Sequence, residues 1–400
     1  MAIKGIFTSH AGLIGERPND LASNILKIGY LGTTPMTTLS KGMPMEQATQ
    51  RAFSWIDDTH ISGNQTITAA AGANATTIVV DDAGIYTSNT LVLSEATGET
   101  LLITAIAGDN KTLTVIRGIG GTTPGAVAVN DTLQLIGKAY AEGSGKPEPV
   151  TQQGTEYTNF VQIVKTGWAI TRTAKRITHL TGSKLAQNKA QCVAYHAEAL
   201  EYMSLWGVKS TQIVDGKRLA TTNGIVTQIE NYGGNVVSAN TGGVPGNISM
   251  KDFLNWLRIC FDKKAMEGSN ERIILTSSAA LEVINNAIVL DSTYQMEANE
   301  TEYGVSINKI RGINFNVTIL THPLMVENAT WSKEMYLIHP GLLKRRKLEM
   351  DTITQEFLVD SNTNSGIDAD EGFLLDETGW EVRGAPTMGV LRNIQNAVAS

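Results

Sequence analysis

Cysteine is almost missing from this chain of 400 residues: Cys192 and Cys260 are the whole complement. Two thiols so far apart make neither a disulfide framework nor a zinc knuckle. Each lies in an apolar, helix-periodic stretch, which predicts buried free thiols in a protein made in a reducing compartment. Histidine is also sparse. His10, His60, His179, His196, His322 and His339 show no metal spacing such as His-Glu-x-x-His, and no nucleophile elbow occurs, so neither cofactor nor metal is expected. Gly143-Ser144-Gly145-Lys146 fails as a phosphate loop because Tyr140 replaces its first glycine and Pro147 its magnesium-binding hydroxyl. Gly118 to Gly121 fails the dinucleotide fingerprint at Thr123. Cys192 and His196 stand at helical spacing on an apolar stripe, where an inert packed pair is favoured over a thiolate nucleophile. A basic excess is lacking too: 32 Lys and Arg against 39 Asp and Glu leave a net charge of −7, which argues against a dedicated reader of nucleic-acid sequence. No apolar run is long enough to cross a bilayer, and Met-Ala-Ile-Lys-Gly is not followed by a signal-like apolar core, so the expectation is cytosolic synthesis without a membrane partner.

What is present is regular. From Ser183 to Trp206, Leu185, Ala186, Cys192, Val193, His196, Ala199, Leu200, Met203 and Trp206 recur at helical spacing, with Lys184, Gln187, Gln191, Glu198 and Glu201 on the other side. Ser183 caps this predicted spine helix and Gly207 ends it. Residues 1–50 are broken by Gly and Pro yet rich in apolar side chains, which predicts an arm that orders on another surface, with a helix only over Asp20 to Tyr30. Arg51 to Asp58 and Asn159 to Thr173 alternate like the two arms of a long hairpin. Between them, residues of about 64–137 form a Thr, Val, Ile and Gly-rich run. Strands are predicted at Thr76 to Val80, Thr90 to Val92, Thr100 to Ile106 and Thr112 to Ile116, separated by turns such as Gly108-Asp109-Asn110.

Downstream, Gly224 to Ile229 is strand-like. Ser249 caps a helix over Met250 to Glu267, with Asp252 completing a capping box. Arg272 to Leu275 is a strand, Ala279 to Ile288 a helix, and Ile313 to Leu320, Glu334 to Ile338, Leu342 to Phe357 and Gly372 to Val382 are further strands. The overall class is α+β, with one βα unit among mixed strands. Two groups stand out as surface candidates. Phe53 and Trp55 on one hairpin arm, with Trp168 and Ile170 on the other, are large apolar residues that are buried either within their own hairpin base or against a neighbouring subunit. Lys344-Arg345-Arg346-Lys347 is the one basic run, able to contact phosphates but favoured as a solvated or inter-subunit patch.

The order of these parts resembles a known family. Phe7-Thr8-Ser9-His10, Gly15-Glu16-Arg17, Gly167-Trp168-Ala169-Ile170-Thr171, Asn188-Lys189-Ala190-Gln191-Cys192 and His322-Pro323-Leu324 with Trp331-Ser332-Lys333 are similar to strings in major head proteins of tailed bacteriophages, whose fold is the Hong Kong ninety-seven type. The resemblance implies an N-terminal arm over 1–50 and an extended loop over 51–175 that carries the β-rich insertion. It implies a spine helix with peripheral domain over 176–235, an axial domain over 236–335 and a returning peripheral domain over 336–400. It further implies a structural protein, not an enzyme, that assembles with itself into pentamers and hexamers of an icosahedral virion shell around double-stranded DNA held non-specifically. Portal, scaffolding and decoration proteins are the expected other partners, the scaffold as a separate protein because no long helical scaffolding segment opens this chain. The β insertion alone also fits a tail-tube or decoration protein, and a cysteine/histidine hydrolase is the distant alternative.

Overall fold

The Ser183 hydroxyl accepts from the Ala186 N–H and caps a 23-residue helix, Lys184–Trp206. The spine helix closes where its backbone meets another: Gly224 N–H donates to Gly207 C=O at 2.8 Å, and a Cβ at either glycine would sit within 2.6 Å of backbone atoms. This structure is a computed structural model, and it describes residues 35–40, 43–58, 63–151, 153–177, 182–263, 271–290, 300–302, 305–311, 316–348, 355–359 and 369–399. The predicted helix at Asp20 to Tyr30 lies outside the described residues.

The buried side of the spine differs from its sequence pattern at three positions, among them Ala186, which is exposed near the start of the helix. Val193 is 56% exposed although it shares the apolar recurrence, because the buried stripe runs Cys192, His196, Leu200, Met203 and position 193 is a turn-quarter away. Glu201, expected on the solvent side, is fully buried, since the C-terminal half of the helix is enclosed on several sides and Ser204 and Leu205 are buried with it.

Chain contacts divide the molecule into two compact units, Ile56–Glu156 and the rest. In the larger unit the spine packs on a five-stranded sheet, in which Met45–Gln47, Leu343–Lys347, Ala369–Val382 and Gln162–Thr171 lie in that order, with Gln355–Val359 also pairing with Ala369–Val382. Gln162–Thr171 runs antiparallel to Ala369–Val382 over ten register pairs, from Gln162 opposite Thr378 to Thr171 opposite Ala369. That corrects the expected hairpin. Ala52–Asp57 pairs instead with Thr155–Phe160, the strand just before Val161.

A seven-stranded mixed sheet forms the second layer, in the order Asn235–Ser238, Gly389–Arg392, Met335–Ile338, Arg272–Thr276, Asn316–Thr321, Val305–Arg311, Glu300–Glu302. Its interior strand Met335–Ile338 is buried at every residue because both faces are covered. Met335 and Leu337 join the core under the helices Met250–Asp262 and Ser278–Leu290, with Phe253, Trp256, Ile284 and Ile319. Tyr336 and Ile338 join the opposite core with Met36, Leu205, Ile225, Trp380 and Val390. Ser249 and Ser277 cap the two helices through the N–H groups of Asp252 and Ala280. The first helix ends at Asp262, earlier than predicted, because Lys263 has extended backbone angles. Ile225–Asn231, read from sequence as a strand, is a helix that buries Ile225, Val226 and Ile229. Its apolar residues are too few to separate period 2 from period 3.6.

The smaller unit holds a closed six-stranded barrel. All four strands predicted there are present, and two more, Asn64–Ala69 and Thr132–Lys138, complete the closure. Asn89, Asn110 and Asn130 take left-handed φ of 65°, 56° and 72° at its turns. The exposed Asp109 carboxylate accepts from the Thr112 and Lys111 N–H groups and the Thr112 hydroxyl, which brings its pKa down to about 2. At one point the barrel also carries a buried ion pair, Arg117 Nη2 to Glu99 Oε2 at 2.6 Å. Burial works to raise the Glu99 pKa, but Arg117 and the N–H groups of Gly125 and Gly118 outweigh it and leave the carboxyl low.

Candidate functional site

The four hydrophobic candidates for gripping a neighbour have partners in their own chain. Trp55 is 4% exposed, its ring centroid 6.0 to 6.1 Å from those of Phe53, Tyr157 and Tyr232. Phe53 also lies against Gly379, where a Cβ would come within 2.8 Å of its ring, so glycine is what admits the phenyl group. Trp168 is 7% exposed and packs with Cys192 and Leu374, with Lys189 Nζ 4.4 Å above its ring; Ile170 is buried as well. Trp55 is thus buried among rings of its own chain, and Trp168 between the spine and the long strand, which favours packing within the subunit over gripping a neighbour.

The basic run is likewise engaged within its own chain. Leu343–Lys347 lies between two strands of the five-stranded sheet, so its side chains alternate between faces. Arg345 and Lys347 point under the spine helix and are nearly fully buried. Arg345 Nη2 lies 3.0 Å from Asp376 Oδ2 and Lys347 Nζ 3.1 Å from Asp376 Oδ1, and Arg345 Nε donates to Thr378 Oγ1 at 2.9 Å. On the other face Lys344 and Arg346 reach Glu46 at 2.5 and 2.6 Å, and Arg346 also pairs with Glu381 at 2.6 Å. Lys344 above all, with Arg346, holds the Glu46 carboxyl below the usual carboxylate range. All four consecutive cations are therefore paired within the chain, Arg345 and Lys347 buried and Lys344 and Arg346 partly exposed.

Sequence reasoning missed the acidic halves of these pairs. One signal was available: Asp376 occupies the inward register of a strand whose neighbours Leu374, Thr378 and Trp380 are buried, a place where a carboxylate needs a cation. Glu201 is a second omission. Its Oε1 accepts from the Met36 N–H at 2.7 Å and lies 2.8 Å from His322 Nε2, which ties the helix Pro35–Ser40 to the spine. A third is a buried amide network. Asn159 Nδ2 donates to Asn223 C=O and Trp380 C=O, and Gln228 Nε2 donates to the same two carbonyls, joining the hairpin base, the helix Ile225–Asn231 and the long strand.

Chemically, this is an assembly of ion pairs and amides. Cys192 Sγ faces Thr166 C=O at 3.3 Å and His196 Nδ1 lies 3.0 Å from Thr166 Oγ1, so each faces Thr166. Among the described residues, no three His, Cys, Asp or Glu side chains are placed to hold a metal ion, and no helix is long and apolar enough to cross a membrane. The comparison with known proteins decides the identity. The sequence matches the SU10 major capsid protein family over residues 4–395. The chain belongs to that family. It is similar to the major capsid protein of Pseudomonas phage PaMx41, with 25% identity over 322 residues, 80% of this chain and 76% of the relative. Among solved structures it is similar to the native GTA particle capsid, at 8% identity and TM-score 0.45 over 99% of this chain and all of that one. It is likewise similar to Mycobacterium phage Bobi, at 9% identity and TM-score 0.44 over 99% and 100%. By its family the protein is a structural component of a virion capsid, not an enzyme, and it assembles into capsomers.

In this capsid protein the buried ion cluster gives one titration. Burial holds the His196 pKa below its ordinary value of 6.5; Asp376 opposes this, and Arg345 and Lys347 add to it. With the folded value the lower one, the unfolded chain binds more protons just below pH 6.5, so His196 contributes stability that is present above that pH and lost on acidification. His196→Gln is expected to flatten the fall in urea midpoint of the unassembled subunit below pH 6.5. Parallel curves for the two proteins would contradict this.

Proposed function

We propose that this capsid protein forms both the pentamers and the hexamers of an icosahedral head enclosing double-stranded DNA, made in the host bacterial cytoplasm. A separate scaffolding protein, a portal and decoration proteins are its further partners. The regional layout proposed is that of the family: arm over 1–50, extended loop over 51–175, spine and peripheral domain over 176–235, axial domain over 236–335 and returning segment over 336–400. The observation that carries this reading is the family match across residues 4–395. The internal neutralisation of Lys344 to Lys347 by Glu46, Asp376 and Glu381, with a net charge of −7, supports DNA held by enclosure and not by a basic surface, which suits a shell that must release it. Negative-stain microscopy of the purified protein with scaffold supplied tests it. Closed shells with five- and six-fold capsomers are expected. Helical rods would mean a tube protein, and globular monomers at every concentration would overturn the assembly.

A further inference from the structure

The barrel has an apolar band on its outside that its own core does not use. Nearby on the barrel's outer face stand exposed polar residues such as Thr77, Thr104 and Thr114. Against that background Ile116, Leu102 and Leu91 stand side by side on three adjacent strands, in the register Leu102 to Ile116 and Leu91 to Leu102. Leu93 is next along on the same face. On the fourth strand Gly137 stands opposite Leu91 and Leu135 opposite Val92, so Ile136 is the extra residue of a bulge next to the band. Ile116 is 49% and Ile136 55% exposed, while the three leucines shelter one another in part. Inward residues such as Val92, Leu101 and Val115 already fill the barrel, so the outer five are not needed for its core.

We propose that this band docks on the same band of a barrel from a second copy in the assembled shell. The size of the patch selects that occupant. Five side chains offer roughly 300–400 Å², an ordinary largest patch for a protein surface. A stable two-body interface buries about 800 Å² per partner, so a free soluble protein would be held weakly here. A copy built into the same shell is already fixed nearby, and a contact too small to hold a free partner becomes effectively intramolecular. An aliphatic band is also complementary to itself, because neither side brings a charge that the other must pair. The inference rests on capsid assembly and adds to it a named contact outside the spine and sheet.

Cysteine placement in the full chain tests it, because Cys192 and Cys260 are both buried and leave an introduced surface thiol as the reactive one. In unassembled subunits, Ile136→Cys and the control Thr77→Cys should both react readily with a maleimide. In shells, labelling at position 136 is expected to fall by an order of magnitude while position 77 stays reactive, and a short bis-maleimide should join two chains through 136 only. Ile116→Cys serves as the second site, with the same expectation. Unchanged labelling in shells would overturn the proposal, as would protection already in the unassembled subunit, which would mean that the chain covers its own band. Protection without chain-to-chain crosslinks at either site would also overturn it by naming a different cover. In each of these cases the shells themselves still form, which separates this contact from the capsid function.

Discussion

Asp376→Ala is expected to destabilise the unassembled subunit by about 3–5 kcal/mol, the cost of leaving buried charge without its counter-ion. The carboxylate is fully buried and faces two cations, Arg345 and Lys347, at 3.0 and 3.1 Å. Burial already lowers the pKa of both, Lys347 and Arg345 alike, with Asp376 pulling the other way. Removing it therefore takes a buried counter-ion from two desolvated charges beneath the spine helix. Urea denaturation at neutral pH measures the loss, and a change under about 1 kcal/mol, the scale of an exposed ion pair, would contradict the buried geometry. The deficit should shrink at alkaline pH, because Lys347 can then shed its proton and no longer needs a buried counter-ion. Replacing all three, Arg345→Met, Asp376→Leu and Lys347→Met, should recover most of the loss, since an apolar set of similar volume removes the desolvation cost with the pairing.

Trp55→Ala and Trp168→Ala should each cost the subunit about 3–5 kcal/mol, the range for truncating a buried aromatic ring. Trp55 closes a four-ring group with Phe53, Tyr157 and Tyr232, in which the two tyrosine rings are 4.3 Å apart. Trp168 is clamped between the spine residue Cys192 and Leu374 of the long strand. Both readouts belong to the free subunit: a lowered urea midpoint, with normal assembly per folded chain. A folded subunit of unchanged midpoint that fails to assemble would return these residues to the surface between subunits.

The two sets of side chains were unequally visible in the sequence. Trp55 and Trp168 stood out as large apolar residues on alternating strands, yet nothing local tells a strand that grips a neighbour from one that pairs at home. Gln162–Thr171 alternates equally well opposite Ala52–Asp57 or Ala369–Val382, and its actual partner lies some two hundred residues further on. The basic run failed for the same reason. Its four cations are consecutive in sequence, but their carboxylates sit at Glu46, Asp376 and Glu381 and come within reach only when three strands are in register.

What the sequence determined by itself was local or compositional. The Ser183 and Ser249 caps, the spine from 184 to 206, the four turn-bounded strands of the insertion and the two buried thiols follow from interactions within a few residues, where a hydroxyl reaches an N–H two or three positions on and the apolar period shows which face turns inward. Only the tertiary structure decided that Glu201 is buried with Met36 and His322, that Lys344 to Lys347 are spent on internal ion pairs and that the insertion closes into a barrel with an apolar outer band. Each of these depends on which distant strand or helix supplies the partner. A side chain's period sets its face, but the cost of burying a charge or an apolar surface is decided by what stands opposite, and that is chosen by packing across the whole chain.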